Sequence, residues 1–192
     1  MRFALLAVLL VAISPVHAAV VTFEELPHTS GVDPVTTGGF VFAAGGTTLW
    51  VDDDVPWIDE ESMGNFLHVF TWPGEGSSLD ITREDGLAFD LHSLDLLGQG
   101  AGYTIRGYDA NDQWIAESGV YVGNWDTVVF NDDWNNVSRI NIQDSVHSGF
   151  GDSYFGIPLD NFSATVVPIP AAAWLFGSAL AGLGWLRRKQ AV

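Results

Sequence analysis

Short segments in which apolar and polar side chains alternate fill the middle of the chain. The alternation has a period of two in Tyr103–Tyr108, and again where Ile140 and Ile142 flank Asn141, which predicts strands with one buried face. The sequence Asp-Ala-Asn-Asp at Asp109–Asp112 predicts a hairpin turn between two of them. The predicted strands are Phe40–Phe42, Thr47–Val51, Phe66–Thr71, Leu79–Ile81, Leu87–Leu97, Tyr103–Tyr108, Trp114–Val122, Thr127–Phe130, Val137–Ile142 and Leu159–Val166. Many short strands, with no capped helical period between the two ends of the chain, indicate an all-β sandwich or barrel.

The N-terminal end has a different pattern. Arg2 precedes an unbroken apolar run, Phe3–Ile13, which Ser14 and Pro15 end. This order of charge, apolar run and small residues predicts a secretory signal peptide over residues 1–18, with cleavage after Ala18. The alternative is a buried N-terminal strand or helix of the mature fold. We therefore expect a domain over residues 19–166.

The C-terminal end contains a second apolar segment. Ala171–Leu186 carries no charge and is followed at once by Arg187, Arg188 and Lys189. As a helix it would be about 24 Å long, at ~1.5 Å per residue, and the basic side chains and flanking residues can extend its reach across a bilayer. We expect it to span the inner membrane with the basic cluster in the cytoplasm and the domain outside.

Pro168, Ile169 and Pro170 complete a specific arrangement at this end. The stretch VPIPAAAWLFGSALAGLGWLRRK resembles the PEP-CTERM sorting signal of Gram-negative bacteria. The resemblance implies recognition by an exosortase, a membrane transpeptidase, then release to the cell surface or extracellular matrix, in a host that makes extracellular polysaccharide. Ile169 departs from the Glu of the family name, which bears on the exosortase subtype. A plain tail-anchor helix is the alternative.

Charge is distributed unevenly along the chain. Between the two ends only Arg83, Arg106 and Arg139 are basic, whereas all 24 acidic residues lie there. Such a surface repels nucleic acid and anionic lipid, so we exclude DNA and RNA as partners, and it favours divalent cations or simple solubility. The chain has no Cys, so disulfides contribute nothing to its stability.

A second resemblance covers most of the second half of the domain. The segments FDLHSLDLLG, YTIRGYDANDQWIA, WDTVVFNDDWNNVSRINI and FGIPLDNFSA are similar to jelly-roll sandwiches related to carbohydrate-binding modules. The resemblance implies a jelly-roll-like antiparallel sandwich and a structural calcium ion joining the first strand to the last. Glu24, with Glu25 as an alternative, and Asp160 are the matching positions. The turn at Asp109–Asp112 is a competing site, and simple surface acids are the alternative to any site.

Candidate chemistry favours binding over catalysis. Gly151–Phe155 lacks the last glycine of a Gly-x-Ser-x-Gly elbow, and the five His residues show no metal-ligand spacing. We therefore predict no catalytic residues. Trp57 and Trp134 lie in acidic stretches and are predicted to be the most exposed Trp residues, where indoles stack on sugar rings. Packing in the core or at its rim is the alternative for any single Trp. Trp114 is predicted to pack within its strand.

Two classes of function follow from these features. The first is an exported, non-catalytic surface or matrix protein that is sorted by an exosortase and binds extracellular polysaccharide. The second is a secreted glycoside hydrolase, because such an enzyme needs only two well-spaced carboxylates. A structural matrix role without a ligand also remains open.

Overall fold

The computed structural model of the protein describes residues 18–52, 64–71, 76–97, 101–123, 125–146 and 155–166. This part of the chain consists mainly of strands, and it contains one 3-10 helix at Asp132–Trp134. The strands are β1 (Ala18–Val21), β2 (Thr29–Val32), β3 (Val35–Thr37), β4 (Phe40–Ala44), β5 (Thr48–Asp52), β6 (Phe66–Thr71), β7 (Ser78–Arg83), β8 (Phe89–Leu97), β9 (Ala101–Tyr108), β10 (Trp114–Val122), β11 (Trp125–Val129), β12 (Arg139–Val146) and β13 (Phe155–Val166).

The strands form two antiparallel sheets. The seven-stranded sheet has the order β11-β8-β13-β6-β5-β2, with β1 paired to β13, and the six-stranded sheet has the order β10-β9-β12-β7-β4-β3. The chain crosses between the sheets at most of its later connections, so sequence neighbours such as β7 and β8 lie on opposite layers. The prediction of an all-β antiparallel sandwich is confirmed.

Phenylalanine rings fill the centre between the sheets. Phe162 packs edge-to-face against Phe40, Phe42 and Phe89, with ring centroids 4.9, 5.8 and 6.1 Å away. All four rings are at most 1% exposed, and such aromatic pairs stabilise a core beyond the area they bury. The sequence-predicted core segments contribute as expected: Tyr103, Ile105, Val137, Ile140, Ile142, Leu159, Phe162 and Ala164 are all buried.

The predicted strands from Phe40 onward are all present. Phe66–Thr71 and Trp114–Val122 have the predicted ends, and the others are shifted. β8 begins at Phe89 rather than Leu87, and β13 begins at Phe155 rather than Leu159. The turn at Asp109–Asp112 is confirmed, because the Asp109 and Gln113 backbones are hydrogen-bonded at 2.9 Å between the paired strands β9 and β10. The short strands β1 to β3 and the 3-10 helix were not predicted.

Several sequence predictions fall outside the described residues. These are the signal peptide up to residue 17, the sorting motif at Pro168–Pro170, the segment Ala171–Leu186 and the basic cluster Arg187–Lys189. Within the described ranges, no helix is long and apolar enough to cross a membrane. At the predicted cleavage point, Ala18 begins β1 and pairs with Thr165 of β13.

Candidate functional site

The outer face of the six-stranded sheet presents aromatic and charged side chains together. Tyr103 and Ile105 of β9 point into the core, so the alternate positions of β9 and of the strands in register with it point outward. One cross-strand row reads Trp114, Tyr108, Arg139 and Thr82; the next reads Glu117, Arg106, Asn141 and Asp80; the third reads Gly119, Thr104 and Gln143. We call this surface, completed by Tyr121 of β10, the aromatic–arginine face.

Two aromatic rings of this face are largely open to solvent. The side chain of Trp114 is 61% exposed and that of Tyr121 is 72% exposed. Between them Gly119 has no atom within 4 Å of where a Cβ would lie, so the surface is low there. Trp114 and Tyr121 are seven positions apart on β10, a separation of roughly 20 Å at about 3.3 Å per residue.

The orientation of Trp114 is fixed by its neighbours. A β-bulge separates Trp114 from Ala116, and the indole Nε1 donates a hydrogen bond to the Ala116 carbonyl at 2.9 Å. The Arg106 guanidinium lies 5.9 Å from the ring centroid, within cation–π range. The prediction that Trp114 packs within its strand is wrong, because the bulge on this edge strand turns the side chain outward.

The two arginines of the face are both paired with carboxylates. Arg106 Nε donates to Glu117 Oε2 at 2.7 Å, and its Nη1 donates to Gln143 Oε1 at 3.3 Å. The hydrogen bond to Glu117 raises the pKa of Arg106 above its ordinary value, so this side chain stays charged.

Arg139 lies in the first cross-strand row of the face, opposite Tyr108. It lies 3.8 Å from the Tyr108 ring centroid, and its Nη1 donates to Asp80 Oδ1 at 2.8 Å. Its Nε and Nη2 both donate to Asp112 in the β9–β10 turn. Burial lowers the pKa of Arg139, but the hydrogen bonds to Asp112 and Asp80 outweigh it and the pKa is raised overall.

The turn that supplies Asp112 is itself well ordered by hydrogen bonds. Asp109 Oδ1 accepts from the backbone N–H groups of Gln113 at 2.9 Å and Asn111 at 2.8 Å. These bonds lower the pKa of Asp109, against the opposing effect of burial. Asp109 therefore acts as the hydrogen-bond acceptor that shapes this turn, as predicted for a simple turn.

Trp134 occupies a different position from the one predicted. It is 4% exposed, with its ring centroid 4.6 Å from that of Phe130, and a Cβ on Gly107 would lie 3.3 Å from the indole. The prediction that Trp134 is exposed is wrong, because the 3-10 helix turns the indole inward. Its rim borders a cleft of about 410 Å³ beside β10, which Glu117, Ser118, Asn131 and Asp133 also line.

The outer face of the seven-stranded sheet holds a second aromatic cluster. Trp50 and Phe70 are stacked with centroids 4.9 Å apart, and Phe66 meets Trp125 edge-on at 5.7 Å. His68 lies between Phe66 and Phe70 and is 7% exposed. Burial lowers the pKa of His68 to about 4, although nearby Asp52 acts to raise it. These rings are buried or half-buried, so they offer less open surface than the aromatic–arginine face.

Carboxylates gather where β13 meets β8. Asp160 lies opposite Asp95 in register, and Asn161, at a φ of 45°, donates through Nδ2 to Asp95 Oδ2 at 2.8 Å. Burial raises the pKa of Asp160 to about 6; Asp95 and Glu24 also raise it, whereas the Asn161 N–H lowers it. The resemblance to jelly-roll modules implies Glu24 and Asp160 as calcium ligands, and Asp95 was not predicted.

The predicted site residues are thus only partly brought together. Glu24 lies close enough to Asp160 for its charge to raise the pKa of Asp160. Trp134 is buried elsewhere, and Trp57 lies outside the described residues. Among the residues the structure describes, no group of three or more His or acidic side chains is arranged to hold a metal ion. The aromatic–arginine face was also not predicted. It could have been found from the strand positions of Arg106, Trp114 and Tyr121, which lie on the side of the sheet away from the core.

Comparison with known proteins gives likenesses in structure alone. No protein-family model matches the chain, and no curated protein sequence matches it. A family 29 carbohydrate-binding module is 16% identical, with a TM-score of 0.49 over 79% of this chain and 90% of that one. A DUF4465 family protein from Bacteroides caccae is 12% identical, with a TM-score of 0.45 over 77% and 98%. TmCBM61 in complex with β-1,4-galactotriose is 12% identical, with a TM-score of 0.39 over 65% and 86%.

Proposed function

We propose that the protein is a non-catalytic, extracellular polysaccharide-binding protein whose site is the aromatic–arginine face. The observation that carries the proposal is the exposure of Trp114 and Tyr121 on one face of a sheet, beside hydrogen-bonded polar side chains. Sugar rings place their C–H faces on open aromatic rings, and a strand face holds such rings in fixed positions. The roughly 20 Å of strand between the two residues suits a polymer rather than a single sugar.

The polar side chains between the rings supply hydrogen bonds of both kinds. Arg106 and Gln143 present donors, and Glu117 beside them presents acceptors. Sugar hydroxyls both donate and accept, so a neighbouring donor and acceptor can engage one hydroxyl pair. Because the ion pairs already hold these side chains in place, binding costs little side-chain entropy.

Substitution of the two open rings tests this site. We expect Trp114→Ala and Tyr121→Ala each to weaken polysaccharide binding by about tenfold, since truncation of a central aromatic anchor often costs 1 to 2 kcal/mol. Affinity electrophoresis of the full chain through gels containing different polysaccharides provides the measurement. Val129→Ala removes an apolar side chain that is 76% exposed on β11 and serves as the matched control. Unchanged retardation of both aromatic variants would contradict the site.

The terminal segments support export and sorting as part of the same function. A signal peptide over residues 1–18 would send the domain out of the cytoplasm, and the tail from Pro168 to Lys189 would be held in the inner membrane and then processed by an exosortase. Deletion of Arg187–Lys189 is expected to impair processing. Mass spectrometry of surface material from the host checks this, and recovery of the mature protein with its tail intact would refute sorting.

A structural calcium ion near β13 remains part of the proposal. Glu24 and Asp160 would hold it, with carbonyl and water oxygens completing the six to eight ligands that calcium takes. Burial is the largest cause of the raised pKa of Asp160, and the charges of Asp95 and Glu24 raise it further; this part, a local negative field, supports cation binding there. We expect added calcium to raise the melting midpoint relative to EDTA, Asp160→Ala to abolish the response, and Asp109→Ala to retain it. A midpoint that neither calcium nor EDTA moves would remove the ion from the proposal.

A second candidate function is glycoside hydrolysis by the same carboxylates. Asp160, with a pKa raised to about 6, lies opposite Asp95 in register, and glycosidases pair an acid of raised pKa with an ionised carboxylate. Release of reducing sugar from a bound polysaccharide, lost in Asp160→Asn, would favour this function. Binding without release would favour the non-catalytic one.

A further inference from the structure

We infer that the aromatic–arginine face selects uncharged polysaccharides, and that Glu117, Asp80 and Asp112 determine this selectivity by neutralising Arg106 and Arg139. This inference rests on the proposed function, and it concerns which polymers the same face accepts. The geometry that carries it is the occupation of both guanidinium groups by carboxylates of the protein.

The charge of the whole domain sets the background. Twenty-four acidic residues oppose seven basic ones in the full chain, and only Arg83, Arg106 and Arg139 lie between the predicted terminal signals. Arg83 is hydrogen-bonded to Asp85 and to the Ala88 carbonyl, and its side chain is 9% exposed. A polymer carrying uronate or sulfate groups therefore approaches against a long-range repulsion.

The two arginines of the face do not offset that repulsion for an incoming anion. Arg106 uses Nε on Glu117 and Nη1 on Gln143, while Arg139 uses Nη1 on Asp80 and both Nε and Nη2 on Asp112. An anionic ligand gains most from a guanidinium when two parallel N–H groups face it. To obtain them on Arg139, the ligand must displace Asp80 or Asp112 and leave that carboxylate unpaired. On Arg106 it must either displace Glu117 from Nε or bind through Nη1 and Nη2 beside the negative charge of Glu117.

An uncharged hydroxyl can bind without displacing a carboxylate of the protein. The pair formed by Arg106 and Glu117 offers a donor and an acceptor side by side, with side chains 36% and 38% exposed. A sugar with two adjacent hydroxyls can accept from one and donate to the other while the ion pair remains intact. The same surface that rejects an anion therefore receives a neutral diol.

Polymers that share a backbone and carry neutral or anionic groups test this inference. We would measure retardation of the full chain in gels containing hydroxyethylcellulose or carboxymethylcellulose, and dextran or dextran sulfate, at about 20 mM and about 500 mM salt. We expect retention by a neutral polymer, and at least about tenfold weaker retention by its anionic counterpart at low salt, with a gap that narrows at high salt.

Glu117→Gln provides the decisive variant. It removes one charge and frees Arg106, so binding of the anionic polymers at low salt should strengthen several-fold relative to the neutral ones. Glu84→Gln changes the net charge equally at an exposed position in the turn after β7 and should leave the ratio unchanged. Melting midpoints of both variants check that they are folded.

The outcomes separate the two levels of the proposal. Equal or tighter retention by anionic polymers at low salt, or the same ratio in Glu117→Gln and Glu84→Gln, would overturn the selectivity while leaving polysaccharide binding intact. Retention by no polymer of either kind would overturn the proposed function, and this inference with it.

Discussion

His68 shows how a single buried side chain makes stability depend on pH. The ring is 7% exposed between two phenylalanines, and burial lowers its pKa from 6.5 to about 4. Because the pKa of His68 is lower in the folded state than in the unfolded state, the unfolded chain binds the proton more readily between pH 4 and pH 6.5. The resulting stability is fully present above pH 6.5 and is lost as the pH falls towards 4.

The lowered pKa of His68 leads to a testable prediction about stability at acidic pH. We expect His68→Phe to remove a loss of stability worth roughly 3 kcal/mol between pH 6.5 and pH 4. Urea unfolding at half-unit pH intervals measures it, and His92→Gln, which replaces an exposed histidine, is the control. Parallel pH curves for the wild type and His68→Phe would contradict the prediction.

Phe162 is the residue on which the core depends most visibly. It is fully buried and contacts three other phenylalanine rings. We expect Phe162→Ala to lower the free energy of unfolding by about 3 to 5 kcal/mol, from the lost burial and the cavity left behind. Chemical denaturation measures the change. The free energy of unfolding of Val129→Ala should stay within about 0.5 kcal/mol of the wild type. A similar loss of stability in both variants would contradict the prediction.

At the scale of elements, the 3-10 helix at Asp132–Trp134 determines where Trp134 lies. Asn131 caps this helix, because its Oδ1 accepts from the Asp133 N–H at 3.2 Å and its Nδ2 donates to Asp133 Oδ2 at 3.1 Å. One turn of helix is enough to direct two aspartates to solvent and the third side chain into the core.

A prediction belongs to this cap. Asn131→Ala should destabilise the turn by about 1 kcal/mol, the usual cost of losing a capping side chain. Hydrogen exchange at the Trp134 and Asn135 amides, which bond to Asn131 and Asp132 carbonyls, should speed up several-fold. Asp132→Asn keeps the cap and is the control. Unchanged protection in Asn131→Ala would show that packing of Trp134 alone holds the turn.

The elements also show how far sequence patterns reach. Strands β4 to β13 were predicted because their apolar residues alternate over five or more positions or lie between clear turns. Strands β1 to β3 have only three or four residues each, too few for a period to register. Trp134 was misplaced because its acidic neighbours suggested a loop, whereas a capped turn buries it. Asp95 was missed because only the register of β8 against β13 places it opposite Asp160.

At the scale of the whole molecule, net charge determines how stability responds to salt. The chain carries a formal charge of −17 at pH 7, so its acidic groups repel one another more in the compact state than in the unfolded one. Salt screens this repulsion, and it also weakens the exposed ion pairs, which contribute only about 0 to 1 kcal/mol each. Screening of the repulsion should therefore be the larger effect.

The fourth prediction is a melting midpoint that rises as salt increases from about 10 mM to about 300 mM. Differential scanning calorimetry in EDTA measures it, and sodium and potassium chloride should act alike, because screening depends on ionic strength. A midpoint that falls with salt would mean that the ion pairs of Arg106 and Arg139 outweigh the general repulsion.

The central position of β13 has a consequence for the timing of folding. β13 is the last strand in the part of the chain that the structure describes, yet it pairs with β8 on one side and with β6 and β1 on the other. A ribosome-bound chain that lacks Phe155–Val166 has a gap in the middle of its seven-stranded sheet, and Phe162 is missing from its core. The sandwich can therefore close only after nearly the whole domain has emerged. We propose that the chain passes unfolded through a secretion channel. Because the sandwich closes late, the chain stays unfolded, and so able to enter the channel, until β13 has been synthesised.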